Sequence, residues 1–107
     1  MGRFVIVAYT PKPGKGARLL NLVKKHLDVL RTEKLVTEKP AYVMKAADGT
    51  FVEIFEWRSA DAIDKAHNFK AVQALWEEFA EVCDYTPLTN LDEAKQMFAE
   101  FEAVEAE

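Results

Sequence analysis

The chain has 107 residues, which is enough for one domain with a real core but too few for two. Half of the residues are hydrophobic and 30% are charged, and the net charge of -4 comes from acids and bases mixed along the chain, so no nucleic-acid partner is expected. The single cysteine excludes an internal disulfide, and neither a membrane span of about 18 apolar residues nor a signal-peptide layout is visible, so we expect a cytoplasmic protein with no membrane partner.

The first third of the chain is predicted to form a strand and a helix. Arg3–Tyr9 is rich in β-branched and aromatic residues, as strands are, and the prolines and glycine that follow end it. From about Lys15 the apolar residues recur at helical spacing, which predicts a helix to about Thr32. His26 lies on this helix without a second metal ligand at useful spacing, and we interpret it as a partly exposed surface residue.

A β-hairpin is the clearest element of the sequence. The apolar runs Ala41–Met44 and Phe51–Trp57 flank an Asp48-Gly49 pair, which supplies the positive φ angles of a tight turn. The second run is apolar at odd and even positions alike, so both of its faces must be covered. Glu53 is therefore predicted to point into a covered, apolar space.

The remainder of the chain is predicted to contain a broken helix and a last strand. Ser59 is a suitable N-cap for a helical segment Ala60–Ala66, which restarts after a kink near His67-Asn68 and ends near Asp84. Residues 98–104 fit either a short helix or a strand. We favour a strand, because the other edge of the first strand needs a partner.

The order β-α-β-β-α-β predicts one ferredoxin-like α+β domain over residues 1–107, with an antiparallel sheet and two helices on one face. Strands one and three are apolar on both faces, so the face without helices would expose a large apolar patch, which soluble monomers avoid. A second copy packed sheet to sheet would cover that patch. The sequence therefore predicts a homodimer.

Several segments together carry a resemblance to a known family; they are Val5–Pro13, the hairpin, Glu53–Ser59, Ala66-His67 and Ala74–Trp76. Through them the chain resembles the antibiotic biosynthesis monooxygenase-like proteins of the dimeric α+β barrel superfamily. The resemblance implies two ferredoxin-like protomers that face their sheets across a barrel, each with a pocket between sheet and helices. Some members of that family oxidise polycyclic phenols without metal or flavin, some degrade haem, and many have no known activity.

The haem-degrading branch is similar to this chain in the Trp-Arg-Ser turn before the second helix. The resemblance to that branch would require an Asn on strand one, a Trp on helix two and a haem-ligating His further along. Strand one contains no Asn, Ala66 stands at the position of the Trp, and Trp76 stands at that of the His. Haem is therefore not an expected partner, and no cofactor is expected.

Two residues are candidate bases. Glu53 lies in apolar surroundings, where a carboxylate has its pKa raised toward the range of a general base that takes a phenol proton. The alternative is a structural carboxylate paired with a buried Tyr, Arg or backbone group. His67 follows Ile63 by one turn on the inner stripe of helix two and is a second candidate; the alternative is a His that satisfies the backbone at the helix break.

An aromatic small molecule is the predicted ligand, if there is one. Tyr9, Phe55, Trp57 and Trp76 would form the walls of a pocket for a planar compound, although Trp76 also fits a purely core role. Cys83 lies on an apolar stripe and is interpreted as a buried, inert thiol, and two His with one Cys make no convincing metal site. Two functions stay open, namely a cofactor-independent monooxygenase and a non-catalytic dimeric module that binds a small ligand or serves in stress.

Overall fold

The computed structural model describes residues 1–105, so the last two residues of the predicted domain lie outside the described part. It is an α+β structure with a five-stranded antiparallel sheet and three helices, an arrangement compatible with a ferredoxin-like fold. The elements in chain order are β1 (Arg3–Pro11), α1 (Gly16–Thr32), β2 (Tyr42–Lys45), β3 (Phe51–Trp57), α2 (Ala60–Ala66), α3 (Lys70–Val82), β4 (Cys83–Thr86) and β5 (Glu102–Val104).

The sheet has the order β4-β1-β3-β2-β5, and every neighbouring pair is antiparallel. The predicted hairpin is confirmed as β2 and β3, joined by a turn in which Gly49 has a φ of 94°. At the centre of the sheet, Glu53 on β3 lies opposite Val7 on β1 and Val43 on β2. These cross-strand neighbours share the face that the helices cover, so Glu53 points into the helix–sheet core.

The prediction for the last strand is right about its type and wrong about its partner. Within residues 98–104 only Glu102–Val104 form a strand, and it pairs with β2. The other edge of β1 is taken by β4, where Pro11 lies opposite Cys83. The physical reason is that α3 ends at Val82, before the predicted Asp84, and Cys83 is already extended, so the chain passes from the helix directly into a strand beside β1.

The bounds of the first helix, the interruption of the second helix and its N-cap agree with the sequence-based prediction. The first helix has the predicted bounds within one residue. The second is interrupted where predicted, since α2 ends before His67 and α3 begins after Phe69. The backbone N–H of Ala62 donates to the Ser59 hydroxyl at 3.1 Å, which satisfies one of the open N–H groups at the start of α2. Among residues 1–105, no helix combines the length and the apolar character that crossing a membrane requires.

The sheet face away from the helices is covered at one end only. The chain's own segment after β4 packs Leu91 over Ala8 and Val52, with Leu88 and Phe101 beside it. The expectation of a wholly uncovered face is therefore corrected. At the other end the large apolar side chains are exposed; they are Phe4 at 58%, Ile6 at 50% and Tyr42 at 64% exposure.

Helix α1 ends in a turn that places a lysine in the left-handed region. The N–H of Leu35 donates to the carbonyl of Leu30 at 3.0 Å, and the N–H of Lys34 donates to that of Arg31 at 2.9 Å. This pair of hydrogen bonds requires a residue in the left-handed conformation after the C-cap. Lys34 is that residue, with a φ of 58°. Glycine adopts that conformation without strain, whereas a residue with a Cβ does not.

Replacement of Lys34 by glycine should therefore stabilise the protein. We expect Lys34→Gly to raise the free energy of unfolding by about 1 kcal/mol, because the strain of the left-handed backbone is removed. Lys34→Ala is the matched control, since it removes the same charge and keeps the Cβ. Urea denaturation measures both. Equal stability of the two variants would contradict a strained turn.

Candidate functional site

An apolar cavity of about 220 Å³ lies between the helices and the β4-β1-β3 half of the sheet. Besides Tyr9, five of its lining residues are Phe, Trp or Tyr, namely Phe55, Trp57, Trp76, Phe79 and Tyr85. Tyr85 is 56% exposed and Trp76 is half-buried, so the mouth lies on their side, while the other three are buried. Tyr9 and His26 line the same cavity and bring polar groups to it.

Glu53 joins these two polar residues beneath the cavity. The Tyr9 hydroxyl donates to Oε1 of Glu53 at 2.7 Å, and Nδ1 of His26 lies 3.0 Å from the same oxygen. In its carboxylate form Glu53 only accepts hydrogen bonds, so Nδ1 carries the hydrogen. Because Nδ1 is engaged in this way, Nε2 is the nitrogen of His26 that is available to a molecule in the cavity. A carboxylate that orients an imidazole is a common arrangement around a general base.

The sequence-based interpretation of His26 as a surface residue is wrong. Its exposure is only 4%, and its ring contacts Phe55 and Phe79 edge-on, each at 5.4 Å between centroids. The signal was available in the sequence, because position 26 falls three residues after Val23 and four before Leu30 on the apolar stripe of α1. A histidine inside such a stripe must find a polar partner in the core.

The Tyr9 side chain is held as a neutral phenol. Its ring stacks on Phe79 at 5.0 Å between centroids and at an angle of 20°. Burial, reinforced by the adjacent Glu53, raises the pKa of Tyr9 well above its ordinary value. Tyr9 is therefore a hydrogen-bond donor to Glu53 and not a base, and it lines the aromatic cavity from a buried position, at 2% exposure.

His67 does not join this group. It is the C-cap of α2, it is exposed, and its ring lies 5.0 Å from that of Trp76 on the outer side. The prediction that it faces inward is wrong, because the buried positions of α2 are Ala62 and Ala66, and His67 follows Ala66 by one residue, which turns its side chain away from that face. Its side chain lines none of the cavities described here. Trp57 and Phe55 do line the aromatic cavity, as does Trp76.

The other acidic residue of β3 is bound differently. Glu56 points to the opposite face, where its Oε1 accepts from the Thr37 hydroxyl at 2.9 Å and lies 3.1 Å from the Lys39 ammonium. The Thr37 hydrogen bond, with help from Lys39, lowers the pKa of Glu56. Glu56 is thus a stable carboxylate outside the cavity, and Glu53 is the acid of the candidate site.

Cys83 is buried, as predicted, and its thiol donates to the carbonyl of Phe79 at 3.2 Å. Burial, with a contribution from Asp84, raises the pKa of the thiol to about 11. At neutral pH the thiolate needed for nucleophilic attack is therefore scarce.

No protein-family model matches the sequence, and no curated protein matches it. Function is therefore inferred from the cavity and its polar residues.

The raised pKa of Tyr9 leads to a prediction about alkaline stability. Because the fold favours the phenol, its contribution is complete below the ordinary tyrosine pKa of about 10 and is lost as pH rises from there through the folded value. In a near-ultraviolet titration of the phenolates, Tyr9→Phe should remove the component that titrates last.

The same variant should lower the free energy of unfolding at neutral pH by about 1–3 kcal/mol, because Glu53 loses a buried donor. Tyr42→Phe, at an exposed tyrosine, is the control and should change stability by less than about 0.5 kcal/mol. A Tyr9→Phe protein as stable as the parent would show that the hydrogen bond contributes nothing.

Proposed function

We propose that the protein is a dimer of the antibiotic biosynthesis monooxygenase type that binds a small aromatic compound in the cavity between helices and sheet. The observation that carries this proposal is the pairing of His26, which lines an aromatic-walled cavity, with the buried Glu53 behind it. A planar ring fits walls made of Trp, Phe and Tyr, and a hydroxyl on that ring would meet Nε2 of His26.

The size of the cavity limits the substrate. Its volume of about 220 Å³ is below the roughly 300–1,000 Å³ of pockets for drug-sized ligands. A phenol or naphthol of one or two rings suits this volume better than a polycyclic compound. The lining is otherwise apolar, so a compound with a single ionisable hydroxyl is favoured over a highly charged one.

The proposed reaction is cofactor-independent monooxygenation of the phenol. Nε2 of His26 takes the phenolic proton, and the imidazolium is stabilised by Glu53. The electron-rich phenolate then reacts with dioxygen, which is both oxidant and oxygen source. One oxygen atom ends in the quinone and the other leaves as water, with the two hydrogens that the substrate loses from its hydroxyl and its ring carbon. Glu53 acts through His26 and is a positioning residue.

The alternative is a dimeric module that binds an aromatic ligand without reaction. One observation favours it: the Tyr9 hydroxyl and Nδ1 of His26 are already satisfied by Glu53. This network matches the structural role considered for Glu53 in the sequence, that of a carboxylate paired with a buried tyrosine. In such a module only Nε2 would contact the ligand, and it would fix the ligand's orientation.

The fold proposed here is a ferredoxin-like unit of β1 to β4, in which the second helix is split into α2 and α3 and β5 is an addition beside β2. A second copy of the chain is proposed to cover the exposed end of the outer sheet face. Three large apolar side chains are exposed there, namely Phe4, Ile6 and Tyr42. Soluble monomers rarely expose a cluster of such side chains. Such packing of two sheets would complete an α+β barrel.

Substitution of His26 tests the site. With 1-naphthol as probe, tryptophan fluorescence should report saturable binding, and an oxygen electrode should report consumption of dioxygen. His26→Gln should lower the rate of oxygen consumption by about 10²–10⁴-fold with little change in naphthol affinity, since the base is lost and the walls remain.

His67→Gln is the matched control and should leave both quantities unchanged, because His67 is exposed and outside the cavity. Binding without oxygen consumption would establish the alternative module. Absence of naphthol binding would refute both functions.

A charge on the outer sheet face tests the dimer. Sedimentation of the unmodified protein at micromolar concentration should give twice the chain mass of 12.2 kDa. Ile6→Lys should shift the protein to monomers that keep their circular dichroism, because a lysine cannot be buried there without a partner. Ala71→Lys, on the exposed side of α3, should leave the dimer intact. A monomeric parent protein would contradict the proposal.

A further inference from the structure

The second oxygen of Glu53 is the most unusual polar atom among the described residues. Glu53 is 1% exposed, and its Oε2 accepts no hydrogen bond from any of residues 1–105. A buried acceptor without a donor has lost its hydrogen bonds to water without replacement, and the loss is more costly when the acceptor is charged. Native structures rarely leave such an atom without a ligand, an ion or a water beside it.

Glu53 also lines a second cavity, of about 110 Å³, on its other side. We call this second cavity the donor cavity. It lies between α1 and the β3-β2 half of the sheet, and its apolar walls include Val23, Leu27, Ala41 and Val43. The aromatic cavity occupies the β4-β1-β3 half. Glu53 on the central strand therefore stands between the two, with Tyr9 and His26 on one side and the donor cavity on the other.

The charges of the donor cavity favour a neutral occupant. Lys24 and Arg31 contribute two positive charges, and Asp28 together with Glu53 contributes two negative ones. A small ammonium ion would meet both cations, whereas water can donate to Oε2 and bond to the other polar groups. One water takes about 30 Å³ of liquid and needs two to four polar partners, so roughly three to four waters fit in about 110 Å³.

We propose that the donor cavity is a built hydration site whose water donates to Oε2 and stabilises the carboxylate form of Glu53. That form holds His26 with its hydrogen on Nδ1 and with Nε2 open to the aromatic cavity. The consequence for His26 as a base rests on the proposed function; the hydration of Glu53 does not.

The charged and titratable groups around the pair belong to several elements. Tyr9 on β1 and Tyr85 on β4 face it from the aromatic side, and His26 is itself on α1. From the donor cavity, α1 contributes the two cations and the single acid named above. None of these side chains donates to Oε2. The carboxylate form of Glu53, and through it the tautomer of His26, therefore depends on the donor that the cavity holds.

Filling the donor cavity tests the proposal. Ala41 lines the cavity and is half-buried, so Ala41→Leu should displace the water. Imidazole ¹⁵N NMR is the measurement, because His26 and His67 are the two histidines of the chain and His67→Gln assigns the spectrum. The parent protein should show His26 as the Nδ1–H tautomer, and Ala41→Leu should lose that signal. Ala47→Leu, which adds the same bulk at an exposed turn position, should keep it.

A crystal structure of the unmodified protein provides the second measurement, which does not depend on the variant's folding. It should contain a water about 3 Å from Oε2. A protein side chain donating to Oε2, or no density there, would overturn the proposal, as would an unchanged His26 tautomer in folded Ala41→Leu. Neither measurement uses an aromatic ligand. Failure to bind naphthol would thus refute the proposed function and leave the hydration site standing.

Discussion

The rest of the structure depends on one buried carboxylate. Glu53 sits on the central strand, and its Oε1 accepts from Tyr9 on β1 and from His26 on α1, so one atom joins two strands and a helix. A charge in the core is tolerated only with such partners, because its transfer from water is costly. The rings of Phe55 and Phe79 pack against Tyr9 and His26 and lower the local dielectric there, which strengthens each of these hydrogen bonds.

Much of this centre could be predicted from period and composition. The odd positions of β3 share one face, so a carboxylate among Phe51, Phe55 and Trp57 had to lie under the helices, and it does. A buried tyrosine was also among the partners that the sequence analysis considers for Glu53. The absence of a second metal ligand near His26 favoured a surface position, but burial depends on helical phase, and the stripe of α1 places position 26 inside.

Other features lay beyond sequence reasoning for physical reasons. The buried positions of α2 are the small residues Ala62 and Ala66, so the larger Ile63 was a poor guide to the inward face, and His67, one turn after Ile63, is exposed. Short strands such as Cys83–Thr86 and Glu102–Val104 have little pattern of their own, and which edge each one joins depends on where the preceding chain ends. The segment after β4 covers one end of the outer sheet face, but its sequence has no strong helical or strand periodicity from which its path could be predicted.

The position of β5 has a consequence for how copies of this chain meet. With β5 beside β2 and β4 beside β1, both outer strands of the sheet are short, at three and four residues. An outer strand of that length offers few unpaired N–H and C=O groups to another chain, and Glu102 and Asp84 add charge there. Growth of the sheet by edge-to-edge addition, the route toward fibrils, is thereby discouraged, and contact through the exposed end of the outer face becomes the easier mode of self-association.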